Sequence, residues 1–483
     1  MSPLNAKSDP RQICIALNER TPKGGLFEGD REHIHPQSNL PWRISPEPFW
    51  LNQEQINELK ELGKSLHQFY KAANTLYHQS AKGLQPSWIT EYLDLGKPSH
   101  ITEMGLWNRI KSQLPLVMRP DLLLTEEGFR IIEMDSVPGG MGFTAQISHL
   151  YSDLGYDLIG GRNGLIEGFY NALSASTNTP KPTIAFVVSD ESESYRAEMQ
   201  WIANQFNQSH SQAYCIHPRD IHFDNAGLFI KDQGLKNRID AIYRFFELFD
   251  LKNIPKAELI SYFTKKNNVR LTPPPKAYLE EKLWLALFHH PCLTSFWKKE
   301  LRQTAFDQLS TLIPQTWILD PRPIPPHASV SNLEINNLPI NSWDQLKGLS
   351  KKQRELVIKP SGFSELAYES KGVSVGHDMS EETWNRKIQI GLDQFKQTPY
   401  ILQKFHKSIR KTMHYYDFYD DKLKPMRGRT LIRPYFYLID GTPNLSGVQA
   451  VVCPPDKKIL HGMVDAIITP CALQPENLQE KGF

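Results

Sequence analysis

At 483 residues the chain exceeds what one hydrophobic core usually supports, so two or three domains are expected, with ample material to bury an active site. Its 55 Lys and Arg against 53 Asp and Glu exclude a global field for nucleic acid or an anionic membrane, so any anion binding must be local. The five cysteines form no CxxC pair, no apolar run reaches the roughly 18 residues of a membrane span, and the N-terminus lacks a secretion pattern; a cytoplasmic protein without a zinc site or disulfide framework is expected.

Residues 1–45 are polar and rich in Pro and Gly, which predicts an irregular arm. Leu51, Ile56, Leu59, Leu62, Leu66, Phe69 and Tyr70 then recur at spacings near three and four, the mark of a long amphipathic helix heading a mostly helical region. Region 46–155 closes with a strand-turn-strand unit, PDLLLTEEGFRIIEMDSVPGG, in which Gly128 suits a tight hairpin. Between 160 and 270 an α/β module is expected, with TIAFVVSD as a buried parallel strand, a helix from Glu193 to Phe206, and DAIYRFFEL as a second strand. In 275–475, TPPP stops the preceding element and EEKLWLALF reads as a helix; TWIL, ELVIKP, YILQKF, LIRPYFYLI and LSGVQAVVCP read as strands.

Three carboxylates fall within fifteen residues, Arg119-x-Asp121 before the turn and Glu133-x-Asp135 after it. Strand alternation puts Glu133 and Asp135 on one face and a hairpin brings Asp121 alongside, an all-oxygen pocket of the kind Mg²⁺ accepts when it also binds phosphate. Beside it, the planar fork of Arg119 can hold a phosphoryl group. Solvated charges at strand ends are the plainer alternative. The turn Pro138-Gly139-Gly140-Met141-Gly142 either lets backbone amides approach phosphate or simply joins the hairpin to a helix.

Lys359 ends the apolar strand ELVIKP, a costly place for an ammonium unless it meets an anion or snorkels to solvent. Pro360 and Gly362 turn the chain, and the stretch through Lys371 and Gly372 can fold over a triphosphate. Gln403 and Lys404 end a strand suited to lining an adenine slot. Arg433 interrupts an apolar run and needs an anionic partner, either a structural carboxylate or a phosphate. His289 and His290 sit at a helix end, where bonding to the last carbonyls is expected. No G-x-S-x-G elbow supports an esterase.

In this order the segments resemble the ATP-grasp superfamily, in the circularly permuted branch that includes glutathionylspermidine synthetase and related carboxylate-amine ligases. The likeness rests first on Arg119-x-Asp121, eleven intervening residues and Glu133-x-Asp135, with Asp135 standing where Asn is usual. It implies an α/β fold with α+β elements: a permuted ATP-grasp core, a pre-ATP-grasp α/β domain and a helical N-terminal region. It further implies ATP and two Mg²⁺ ions held by Asp121, Glu133 and Asp135, with Lys282, Lys359, Lys371, Gln403 and Lys404 about the nucleotide. Arg119, Lys359 and Arg433 are the catalytic candidates, and Asp190, Ser192, Ser194, Tyr195 and Arg244 the substrate-side ones. The implied reaction joins a small-molecule or peptide carboxylate to an amine through an acyl phosphate; a phosphotransferase or a non-catalytic nucleotide-binding protein are the alternatives.

Overall fold

Two antiparallel strands of the predicted hairpin, Val117–Thr125 and Gly128–Asp135, form one edge of a seven-stranded sheet, with Gly128 in the turn at φ 97°. The computed structural model describes residues 5–22, 42–135, 137–177, 179–209, 212–325, 328–367, 370–461 and 465–475. Next to the hairpin runs the 18-residue strand Lys422–Ile439, whose first half pairs with Arg410–Asp417 and whose second half pairs with Val117–Thr125. Thr442–Cys453, Ile467–Leu473 and the short strand Phe49–Leu51 complete the order. Leu51 therefore belongs to a strand, parallel to Cys471–Leu473, and not to the helix that its spacing predicts.

That helix is Gln53–Ala81, started by a capping box in which Asn52 and Gln55 exchange side-chain and backbone hydrogen bonds. Its apolar stripe is the one read from the sequence: Leu59, Leu62 and Leu66 cluster with Ile432, Phe436 and Val448 of the sheet. Strand alternation turns the next residues to the opposite face, where Tyr435 and Tyr437 meet the helices Met141–Asp153 and Gly164–Ala175. These helices bear on a four-stranded parallel sheet in the order Arg270–Thr272, Ala241–Phe245, Ile184–Val188, Ala213–Ile216.

A further four-stranded antiparallel sheet holds Thr316–Ile318, Tyr400–Lys404, Leu356–Pro360 and Ser374–Val375, with Trp384 and Ile388 of helix Glu381–Asp393 in its core. The architecture is thus mixed α/β. The irregular arm expected over 1–45 lies largely outside the described residues. Where it is described, Pro10–Arg20 is a helix instead, capped by the Asp9 side chain with Pro10 at its first position, and Ile13, Cys14 and Leu17 are buried against Phe143 and Ile147. No helix among the described residues is long and apolar enough to cross a membrane.

The long helix lies so close to the sheet that a Cβ added at Gly63 would stand 2.6 Å from the Phe436 ring. Gly63→Ala is expected to lose about 1–3 kcal/mol of unfolding free energy, read from urea denaturation; an unchanged midpoint would contradict this seating.

Candidate functional site

In the hairpin register Arg119 faces Asp135 and Asp121 faces Glu133, after which the pairing slips so that Leu122 faces Ile131. Ile132 is the extra residue of this bulge, and its carbonyl accepts a hydrogen bond from Lys359 Nζ at 2.8 Å. The lysine strand and the carboxylate hairpin, remote in sequence, therefore meet. Lys359 also donates to Gln403 Oε1 at 2.9 Å, its diagonal neighbour on the adjoining strand.

Each carboxylate of the hairpin faces a cation. Arg433, on the strand beside Asp121, reaches it with Nη2 at 3.0 Å, and Arg119 Nε lies 3.2 Å from the other Asp121 oxygen. Arg119 also pairs with Asp135 at 3.0 Å and donates to the Gly139 carbonyl at 2.8 Å. Lys282 Nζ is 2.9 Å from Glu133 Oε1 and donates to the Ala367 carbonyl. Burial pushes the Asp121 carboxyl up, but Arg433 and Arg119 outweigh it and hold the group below the usual carboxylate range. For Asp135 burial wins over Arg119, and neighbouring Glu133 adds to the upward shift. Burial brings the Lys359 ammonium down to about 8 although Glu133 and Asp121 oppose the shift.

Between the hairpin and the lysine strand opens a cleft. Asp121, Glu133, Lys359, Gln403 and Lys404 line it, with Val357, Val375 and Leu460 as apolar walls. The cations Arg429 and Lys458 also line it, and neither was among the residues singled out as candidates. Among the described residues no three His, Cys, Asp or Glu side chains are arranged as a metal centre. The donor chemistry of Asp121 and Glu133, two carboxylates side by side on adjacent strands at the cleft wall, fits a hard oxygen-seeking cation. Asp135 is engaged elsewhere, by Arg119 and by the Val137 N–H at 2.9 Å.

The glycine turn does not offer its amides to a phosphate. Gly140, at φ 82°, donates to Glu198 Oε1 at 2.8 Å and Phe143 to Glu198 Oε2 at 3.1 Å, so a buried carboxylate from the helix Arg196–Ser209 caps the helix that the turn begins. Glu198 carried no signal in sequence, since one glutamate in RAEMQW reads as a polar helix face.

The substrate-side candidates divide. Asp190 is exposed and paired with Arg219 at 2.8 Å and with His217. It lines an acidic crevice with Glu191, Asp250 and Glu365, outside the carboxyl ends of Ile184–Val188 and Ala241–Phe245 where the strand order reverses. Ser192 is buried, Ser194 exposed, and the Tyr195 ring is packed on Gly139 and Phe245. Arg244 is sealed from solvent: it donates to the Pro273 and Phe246 carbonyls and pairs with Glu280. The charge of Lys371 is felt by Glu191 in the crevice, while its neighbour Ser370 lines the cleft. At the helix end the His289 and His290 N–H groups donate to the Ala286 and Leu287 carbonyls, as expected, while the His289 ring bonds the Ile313 carbonyl just past the helix Gln303–Leu312.

No protein-family model matches the chain, and no curated protein matches it in sequence. Among solved structures it is similar to a glutathione synthetase-like effector from Globodera pallida, at TM-score 0.54 and 11% identity over 97% of this chain and 98% of that one. It is also similar to a candidate gamma-glutamylcysteine synthetase from Methylobacillus flagellatus KT, at TM-score 0.39 and 11% identity over 86% and 87% of the two chains. The first likeness shows a shared fold.

Burial drives the Glu198 carboxyl from its ordinary 4.5 up to about 7, against the opposing Gly140 and Phe143 amides. The folded protein then holds more protons on this group than the unfolded chain between those values, so its contribution to stability falls as pH rises through that window. Relative to wild type, Glu198→Gln should gain up to about 3 kcal/mol across the same window, measured by urea denaturation at each pH. A stability difference independent of pH would refute the assignment.

Proposed function

We propose that the chain is an ATP-dependent carboxylate-amine ligase of the permuted ATP-grasp kind, acting in the cytoplasm through an acyl phosphate. The observation that carries this reading is the contact of Lys359 with the Ile132 carbonyl, because it sets a cationic strand and an acidic hairpin on facing walls of one cleft. Phosphoryl transfer asks mainly for positioning and charge neutralisation, and that pair of walls supplies both.

In this reading the adenine lies against Val357 and Val375 near the Gln403–Lys404 strand end, and the phosphates run toward Lys359 and Lys282. Asp121 and Glu133 would hold Mg²⁺, with Asp135 completing the set if Arg119 turns to the transferring group. Bound Mg²⁺ would supply charge neutralisation at the phosphate oxygens. Lys282 exchanges Glu133 for a phosphate oxygen, and Arg433 keeps Asp121 ionised and aimed. A substrate carboxylate oxygen attacks the γ-phosphorus and the bond to ADP breaks. The amine nitrogen then attacks the acyl carbon, phosphate leaves with the bonding pair, and the nitrogen gives up a proton.

The acidic crevice of Glu191, Asp250 and Glu365 suits a cationic amine as acceptor, and Ser370, five residues after Glu365 in the chain, lines the cleft. Arg244 acts in this reading through Glu280 and not on substrate.

Incubation with Mg-ATP and a panel of acid-amine pairs should release ADP, and hydroxylamine should trap the activated acid as a hydroxamate. Glu133→Ala should lower ADP release by about 100-fold or more, on the scale of losing one electrostatic stabiliser, with the circular dichroism of the folded chain retained. ADP without hydroxamate would instead favour phosphate transfer to a hydroxyl. ATP binding with no ADP from any pair would sink the ligase reading.

A further inference from the structure

Three consecutive residues, Glu280, Glu281 and Lys282, each hold a different part of the molecule. Glu280 pairs with Arg244 of the parallel sheet and Lys282 with Glu133 of the hairpin. Glu281 lies between them and touches neither wall of the cleft. Its carboxylate is buried and is met by three donors: Lys97 Nζ, the Ser361 hydroxyl, and the Gly362 N–H at 3.0 Å. The Ser361 hydroxyl in turn accepts from the Leu283 N–H at 3.2 Å.

The side chains of Lys97 and Glu281 are each only 1% exposed, so the pair has been taken wholly out of water. Such a pair gives the fold little that an apolar pair of the same volume would not, because desolvation offsets most of the attraction. What the charges add is a defined place for the groups that converge on them. Ser361 and Gly362 follow Lys359 by two and three residues, and Lys282 follows Glu281 directly. One carboxylate therefore sets the spacing between Lys282, which meets Glu133 of the cleft wall, and Lys359.

Lys97 comes from the N-terminal helical region, and its segment is wedged against loops at the end of the antiparallel sheet that carries Lys359. Gly96, at φ 71°, is packed so tightly on the Gln397 carbonyl that a Cβ would collide with it; Tyr92 donates to Asp320 at 2.5 Å; and Lys97 lies 5.3 Å from the Phe363 ring centre. A Cβ on Gly362 would likewise collide with the Glu280 carbonyl.

We infer that Lys97 and Glu281 are positioning residues for nucleotide binding: without touching the nucleotide they hold Lys282 and the Lys359 turn at the separation a polyphosphate needs. This rests on the nucleotide reading of the cleft and gives the N-terminal helical region a part in it.

The test compares the whole chain with the double variant Lys97→Met/Glu281→Met, which removes both charges at similar volume, and with the milder Ser361→Ala. Mg-ATP affinity is measured by titration with a fluorescent ATP analogue and competition by ATP, and the unliganded melting temperature is recorded for each. The double variant should melt cooperatively yet bind ATP about tenfold more weakly, the usual scale for losing a group that orients a ligand contact. Ser361→Ala should weaken binding several-fold while melting cooperatively at a somewhat lower temperature, since it leaves Glu281 and the Leu283 N–H each short of a partner, and it decides the matter alone if the double variant does not fold. ATP affinity within twofold of wild type in Ser361→Ala and in a folded double variant would overturn this inference and leave the nucleotide reading standing. Absence of ATP binding by the unaltered chain would overturn both.

Discussion

Charge taken out of water is the constraint on which this structure turns. Arg119 and Asp121 are both buried on one strand, and each would cost several kcal/mol if left unpaired. Their compensation is spread over two neighbouring strands and a turn: Asp135 across the hairpin, Arg433 from the other side, and the Gly139 carbonyl from the turn. The hairpin register, the seating of the long strand and the path of the glycine turn must all be right at once for the set to balance. Alternative registers are disfavoured because a slip of one residue would turn Asp121 into the apolar face that holds Leu122.

The same balance bears on the proposed anion site of the cleft. Lys282 and Lys359 lean on partners that themselves line the cleft, the Glu133 carboxylate and the Ile132 carbonyl, and not on acids buried behind it. Glu281, by contrast, is closed off against Lys97, and Glu280 is largely covered beside Arg244. The acids about the cleft thus fall into two kinds, those at its wall and those behind it, and the tripeptide Glu280-Glu281-Lys282 makes contact with both.

Much of this was legible in the chain because it depends on local rules. Period-two alternation placed Asp121, Glu133 and the apolar strand ending in Lys359, and the three-and-four spacing of Leu59, Leu62 and Leu66 gave the long helix. What escaped depends on partners far apart in sequence. Lys97 and Glu281 are separated by 184 residues and Glu198 from Gly140 by 58, so no window of neighbouring residues contains either relation. The bulge at Ile132 is a property of strand pairing, not of composition. Arg244 shows the complementary error: a residue type suited to binding a substrate carboxylate, on a strand where tertiary packing seals it away.

Chain order adds a temporal side to the large sheet. Asp121 leaves the ribosome 312 residues ahead of Arg433, and the strand Phe49–Leu51 finds its neighbour only when Cys471–Leu473 has been made. During translation the acidic hairpin must therefore persist with an edge uncovered and half its countercharge unsynthesised, the situation in which non-local sheets fold slowly and aggregate readily. Yield of active protein should accordingly be governed by how that nascent edge is shielded, whether by chaperones or by slow growth at low temperature, more than by the stability of the finished molecule.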